Sequence, residues 1–209
     1  MREYTKIPVK RILIFSSLLL PHTLAQWSMN AFNRLIIKDF IGEKELGIFS
    51  IAFSIASVSM IINSGIALVI PQHMIKNYKK WTTHKHIFRF YVYYSLLFVV
   101  IYTGLLFGIF IDRKFFHLVK YYDKNVVLYM TYMFGGNYFL GFYYYYSNIL
   151  FYFKKSKELS KVTVLTSIVS VVITVILTYY LSTLGAAIGS LLTYVFYYLF
   201  IYYAAIKQE

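Results

Sequence analysis

Residues 87–111 read IFRFYVYYSLLFVVIYTGLLFGIFI, and the charged triplet Asp112-Arg113-Lys114 closes them. A helix crossing the hydrocarbon of a bilayer takes about 20 mostly apolar residues. This run exceeds that and carries one cation, Arg89, near its start. Five more segments qualify on either side of it: 12–40, interrupted by Pro21; 46–70, closed by Pro71; 125–153, which carries Gly135-Gly136; 162–182; and 184–206. Strand-like alternation is absent, so a barrel is not the expectation. The reading is an all-α polytopic membrane protein, with six transmembrane helices over residues 1–209.

Composition agrees with that reading. The 209 residues are 59% hydrophobic, 21% aromatic and 14% charged, whereas a soluble domain is about 25% charged. A single soluble core of this size cannot bury the surplus, so it is expected to face lipid. The net charge of +13 does not point to nucleic acid, because the cations fall in short clusters between apolar runs rather than along one binding face. With six helices both termini share a side. That side holds 14 of the 21 basic residues, in the segments 2–11, 76–89 and 154–161 and at Lys207. The excess of cations on cytoplasmic loops places both termini in the cytoplasm. The start, Arg2 to Arg11, reads as a cytoplasmic lead-in to the first helix, with no small-residue cleavage site after it. The 72–88 loop mixes Lys76, Lys79 and Lys80 with Met74, Ile75, Tyr78 and Trp81. It reads equally as a short helix on anionic headgroups or as an ordinary basic loop.

Polar side chains inside a span are costly unless paired or hydrated. The first segment nevertheless contains His22, Gln26, Asn30 and Asn33, with Arg34 at the margin. At about 100° per residue the first four fall within roughly 80° of arc. A stripe this long, ending in a cation, is expected to face a water-filled lumen; interhelical hydrogen bonding is the other meaning such a stripe can have. Pro21 removes a backbone hydrogen bond and can kink the helix just before it. In the second segment, Ser50, Ser54 and Ser57 recur at helical spacing and read as a close-packing face, while Asn63 joins the lumen candidates. Gly135-Gly136 permits a hinge or the close approach of a neighbour, and the aromatic run 142–146 reads as packing before it reads as a stacking platform for sugar rings. Gly185 and Gly189, four apart just after Ser182-Thr183, predict a tight helical hairpin.

Enzyme signals are poor. No Asp or Glu lies within any span's interior, so the carboxylates that hold Mg²⁺ in phosphate-ester chemistry are missing. His84 and His86 have no acidic or cysteine companions, there are no cysteines, and no nucleotide-binding glycine loop occurs. The expectation is a non-enzyme with neither cofactor nor metal.

The order Leu20-Pro21, then Asn33-Arg34-Leu35-Ile36-Ile37, Gly42 and Leu46-Gly47-Ile48-Phe49-Ser50-Ile51-Ala52 resembles the seventh and eighth helices of Wzx-type polysaccharide flippases, members of the MATE-like superfamily. The stretches Ile149-Leu150-Phe151-Tyr152, Lys154-Lys155-Ser156-Lys157 and Leu184-Gly185-Ala186-Ala187-Ile188-Gly189 are similar to the end of the same proteins. The resemblance covers nearly the whole chain but only the second half of a twelve-helix transporter. It implies one lobe of a flippase moving an undecaprenyl-diphosphate-linked oligosaccharide, an O-antigen or capsule repeat unit, across the bacterial inner membrane by alternating access. Arg34 is the residue that fits a cationic lumen facing the diphosphate. The family often has Asp directly before this Arg; Asn33 stands there instead, so ion coupling through this position is not implied. Met1 falls where an inter-lobe loop would lie, so the expectation is a truncated or split gene, with a second chain supplying the first lobe or a second copy pairing with this one. The alternative is a non-transporting remnant or scaffold in a polysaccharide assembly system.

Overall fold

The computed structural model describes residues 20, 24, 31–116 and 124–207. The described elements are all helical. We label them α1 (31–40), α2 (Glu43–Ala56), α3 (Val58–Lys76), α4 (Tyr78–Trp81), α5 (His84–Ile111), α6 (Lys124–Tyr152) and α7 (Ser156–Ile206). One π-helical stretch, Asp112–Phe116, extends α5. Gly42 makes the turn from α1 into α2 with φ at 119°, a conformation that excludes most side chains. Among the described residues two helices are long and apolar enough to cross a membrane, and a third is gained if α2 and α3 count as one bent span.

The second predicted span is not one straight helix. It divides at Ser57, and its halves meet at 44°. Pro71 does not close it either, because α3 runs through the proline to Lys76. Proline removes one backbone donor but leaves the following turns intact when they pack, and here Ile70 and Met74 on either side are buried.

α7 is a hairpin. Ser182 breaks it with φ 58° and ψ −144°. On either side, Thr163 pairs with Tyr197 at 2.9 Å, and Ser170 pairs with Thr193. A Cβ on Gly185 would fall 1.9 Å from the Leu177 carbonyl oxygen, and one on Gly189 would fall 2.7 Å from Thr174 Oγ1. The two arms, 156–181 and 183–206, are therefore antiparallel and nearly in backbone contact, as the glycine spacing predicts.

α6 is the central helix, packed against both α7 arms, α2 and α3, with most of its side chains buried. It is rich in tyrosine and asparagine, which its neighbours enclose. Gly135-Gly136 does not interrupt it. A Cβ on Gly136 would lie 3.1 Å from the Ser190 carbonyl oxygen, so close approach by the second α7 arm accounts for this glycine. The aromatic run is packing: Phe142, Tyr143, Tyr145 and Tyr146 are buried, and Tyr143 stacks on Tyr197 at 3.8 Å. The serines of α2 differ from expectation. Ser54 is exposed, and Ser54 and Ser57 donate back to the carbonyls of Ser50 and Ser54. The face that packs is Phe49, Ala52, Ala56, Ser59 and Asn63.

Candidate functional site

α1, α3, α6 and the second arm of α7 meet in a buried polar seam. It begins at the bend. In an unbroken helix the Ala56 carbonyl would accept from the Met60 N–H, but Met60 N–H donates to Ser57 O instead, at 2.9 Å. The freed Ala56 oxygen accepts from Ser59 Oγ at 2.6 Å and from Asn137 Nδ2 at 3.2 Å. Asn137 Nδ2 also lies 2.9 Å from Ser59 Oγ. One turn on, Asn63 Nδ2 donates to the backbone oxygen of Asn137 at 2.7 Å. The Tyr94 hydroxyl of α5 sits 2.9 Å from Asn63 Oδ1 and 3.0 Å from the Tyr138 carbonyl, donating to one of them at a time. Four helices are thus tied where α2/α3 turns.

The second part of the seam joins α1 to α7. Asn33 Nδ2 donates to Ser190 Oγ at 2.7 Å, and Ser190 Oγ donates onward to the Ala186 carbonyl at 3.0 Å. Between the two parts is a small cavity lined by Asn33, Asn137, Ser190, Thr193 and Tyr194, among others. It leaves ≈ 20 Å³ for the centre of a water molecule, room for about one water with several polar partners.

Arg34 points elsewhere. It is exposed, with its guanidinium 4.6 Å from the centre of the Phe53 ring, a cation–π contact that holds the head group over α2. Phe53 lies between Ser50 and Ser57 on the helix, so the cation and the hydroxyls share one outward face. On α3 that face continues with Ser64 and Gly65, both exposed, and nothing lies within 4 Å of a Cβ built on Gly65. Apolar side chains are exposed around them, Leu35, Val58, Ile61 and Leu68 on α1–α3, and Phe88, Leu96, Val99, Val100 and Phe107 on α5.

Of the predicted lumen residues, Asn33 and Asn63 are buried with partners inside the bundle, 30 positions apart and on different parts of the seam. Arg34 is at the surface. His22, Gln26 and Asn30 lie outside the described residues. Sequence reasoning missed Asn137 and the hydroxyl stripe of α7, namely Thr163, Thr166, Ser170, Thr174 and Thr178, all buried between the arms. The stripe's spacing of three or four is visible in the sequence. Its meaning comes from the Gly185 and Gly189 arm that faces it. At the end of the molecule where the hairpin turns, Thr183 Oγ1 donates to Glu45 Oε2 at 3.1 Å. Beside this contact an open hollow of ≈ 550 Å³ is lined by Phe40, Ile41, Thr178, Tyr179 and Ser182. Among the described residues, no cluster of three or more His, Cys, Asp or Glu is placed to hold a metal ion.

No family model, curated protein or solved structure matches the chain.

Proposed function

We propose that this chain is one lobe of a flippase for a polar molecule carried on a lipid diphosphate, the class of cargo that the resemblance to polysaccharide flippases implies. One observation carries the reading. The exposed surface of α1–α3 is mostly apolar, with Leu35, Val58, Ile61 and Leu68 outward, yet it carries an outward cation, Arg34, and the exposed hydroxyls of Ser54 and Ser64. Hydrocarbon tolerates the serines, whose hydroxyls donate to carbonyls of their own helix, but penalises the guanidinium. Water in a passage shared with a second lobe does not, and a guanidinium there meets phosphate oxygens in charge-assisted pairs. In this reading α2/α3 is one bent span and each arm of the α7 hairpin is another. With α5, the central α6 and the first segment they make a six-span lobe, its cation-rich end in the cytoplasm of a bacterial inner membrane. A second lobe of six helices faces this one across the passage.

The test is complementation of cells that lack their own polysaccharide flippase, with the chain expressed alone and together with a chain bearing six further helices. Restored surface polysaccharide, lost on Arg34→Ala at equal protein level, is the expected result. Wild-type activity of Arg34→Ala rejects the role given to Arg34. No restoration under either condition leaves the scaffold alternative standing.

A further inference from the structure

We infer that the end of the molecule where α3, α6 and both arms of α7 terminate or begin is a composite docking surface for anionic phospholipid headgroups, assembled from two loops that are far apart in sequence. The segments 76–89 and 154–161, together with Lys207, hold ten basic residues and one acid, Glu158. The described residues toward the opposite end, 34–45, 112–116 and 124, hold six basic residues and four acids. The two basic loops form one surface because α4 is pinned to the α6–α7 link. The Tyr78 ring stacks on Tyr152 with centroids 4.1 Å apart and planes 4° apart, and it meets Phe153 edge-on at 5.4 Å. Beneath them Ile70, Met74, Ile149, Leu150, Leu159 and Ile201 belong to one buried cluster that fixes the floor. Lys76, Lys79, Lys80, Lys154, Lys155 and Lys157 are all exposed on this platform. Lys161 pairs with Glu158 at 3.0 Å.

What covers the platform follows from what adjoins it. Lys85 and Arg89 stand four apart on the first turns of α5 and are exposed. Immediately beyond them the same helix turns Phe88, Val92, Leu96 and Val99 outward. Cations at the rim of an apolar helix face match a molecule with an anionic head and acyl tails, the head level with Lys85 and Arg89 and the tails along α5. Basic side chains at a membrane surface attract anionic lipid additively and within a short range. In a bilayer the acyl chains along α5 hold lipid headgroups level with Lys85 and Arg89 at high local concentration, so anionic lipid, rather than a free anion or an acidic protein, is the occupant this position favours. The inference needs only that the chain is embedded in a bilayer; it does not rest on the transport reading.

The experiment uses the full chain in nanodiscs made from mixed phosphatidylglycerol and phosphatidylcholine, followed by native mass spectrometry of the lipids that stay bound. Nanodiscs expose both faces, so the orientation of insertion does not enter. Phosphatidylglycerol should be retained over phosphatidylcholine. The variant Lys79→Gln, Lys80→Gln, Lys155→Gln, Lys157→Gln should lower that enrichment by at least about tenfold. The matched variant Lys38→Gln, Lys44→Gln, Arg113→Gln, Lys114→Gln, which removes as much charge from the opposite end, should keep it. Equal enrichment in the first variant and the wild type overturns the inference, as does equal loss in both variants. Competition with polyprenyl diphosphate separates the two sources of phosphate: phosphatidylglycerol that stays bound supports a lipid-surface site, and its displacement one for one overturns it in favour of a cargo site. Arg34→Ala should leave phosphatidylglycerol retention unchanged whatever it does to flipping.

Discussion

Asn137 holds a carbonyl that the α2/α3 bend takes out of the helical ladder. A buried hydrogen bond contributes about 0.5–1.5 kcal/mol; Ser59 Oγ already donates to Ala56 O, and the Asn137 amide adds a second bond to that oxygen and one to Ser59 Oγ. Replacing Asn137 by leucine, which is similar in size and cannot hydrogen-bond, should destabilise the protein by about 1–2 kcal/mol, a range lowered because polar contacts in membrane proteins are individually modest. The same change should let the bend relax. Spin labels at Lys44→Cys and Gln72→Cys, both exposed positions, would then move apart by up to about 3 Å, the length recovered when 28 residues of helix straighten. An unchanged distance distribution in Asn137→Leu would mean that packing alone sets the bend. Nothing in the sequence marked this position. Ser57 is neither proline nor glycine, and beside the local Ser59 the freed carbonyl's second partner, Asn137, lies 81 residues away, beyond the reach of any local pattern. Ser182 is a second residue-scale case, with φ at 58° in a region that costs a non-glycine residue about 1–3 kcal/mol. Ser182→Gly should raise the thermal unfolding temperature in detergent, and Ser182→Val should lower it.

At the scale of elements, the α7 hairpin was the most legible part of the chain. Gly185 and Gly189 permit an approach that no other residue allows, and the arms meet there as their spacing predicts. The clash foreseen for a Cβ on Gly185 is with main chain, the Leu177 carbonyl, which cannot swing aside as a flexible side chain would. Gly185→Ala should therefore open the arms and cost about 3 kcal/mol or more. Gly108→Ala on α5, where a Cβ meets nothing within 4 Å, should be neutral or mildly stabilising, because alanine favours helix. The comparison is of unfolding midpoints in one detergent, and equal losses would reject the contact. The helices expected over 87–111 and 125–153 were legible for a related reason: length and composition decide them, and α5 and α6 cover those ranges. The serine face of α2 was misread because spacing gives a helical face but not its direction. Ala52, Ala56, Ser59 and Asn63 share the same periodicity a fraction of a turn away, and it is they that meet α6. The lumen stripe was legible only as a pattern; Asn33 and Asn63 proved to have partners within the bundle, and Arg34 alone of the described candidates faces outward.

Over the whole molecule, charge separates along the helix axes far more sharply than composition alone conveys. Helix order puts the ends of α3, α6 and α7 together with the start of α5, and the cations of two loops gather there. The start of α2 and the end of α5 lie at the other end, where four acids offset part of the charge of six bases. Basic loops resist translocation, so the rich end should stay in the cytoplasm. The chain contains no cysteine, which makes single introduced thiols unambiguous reporters. Lys79→Cys and Lys157→Cys, on the two loops joined by the Tyr78–Tyr152 stack, should both react with a membrane-impermeant maleimide only after the inner membrane is opened. Lys114→Cys, at the far end of α5, should react in cells whose outer barrier alone is permeable. Residues 79 and 114 lie on opposite sides only if α5 crosses the bilayer, and 79 and 157 on the same side only if α6 returns. Labelling of residues 79 and 157 from opposite sides would contradict the helical packing itself, since rings 4.1 Å apart cannot be divided by a membrane. Labelling of all three from one side would mean that α5 lies along the surface, and with it would go the bilayer-spanning bundle on which the outward cation of α1 acquires its meaning.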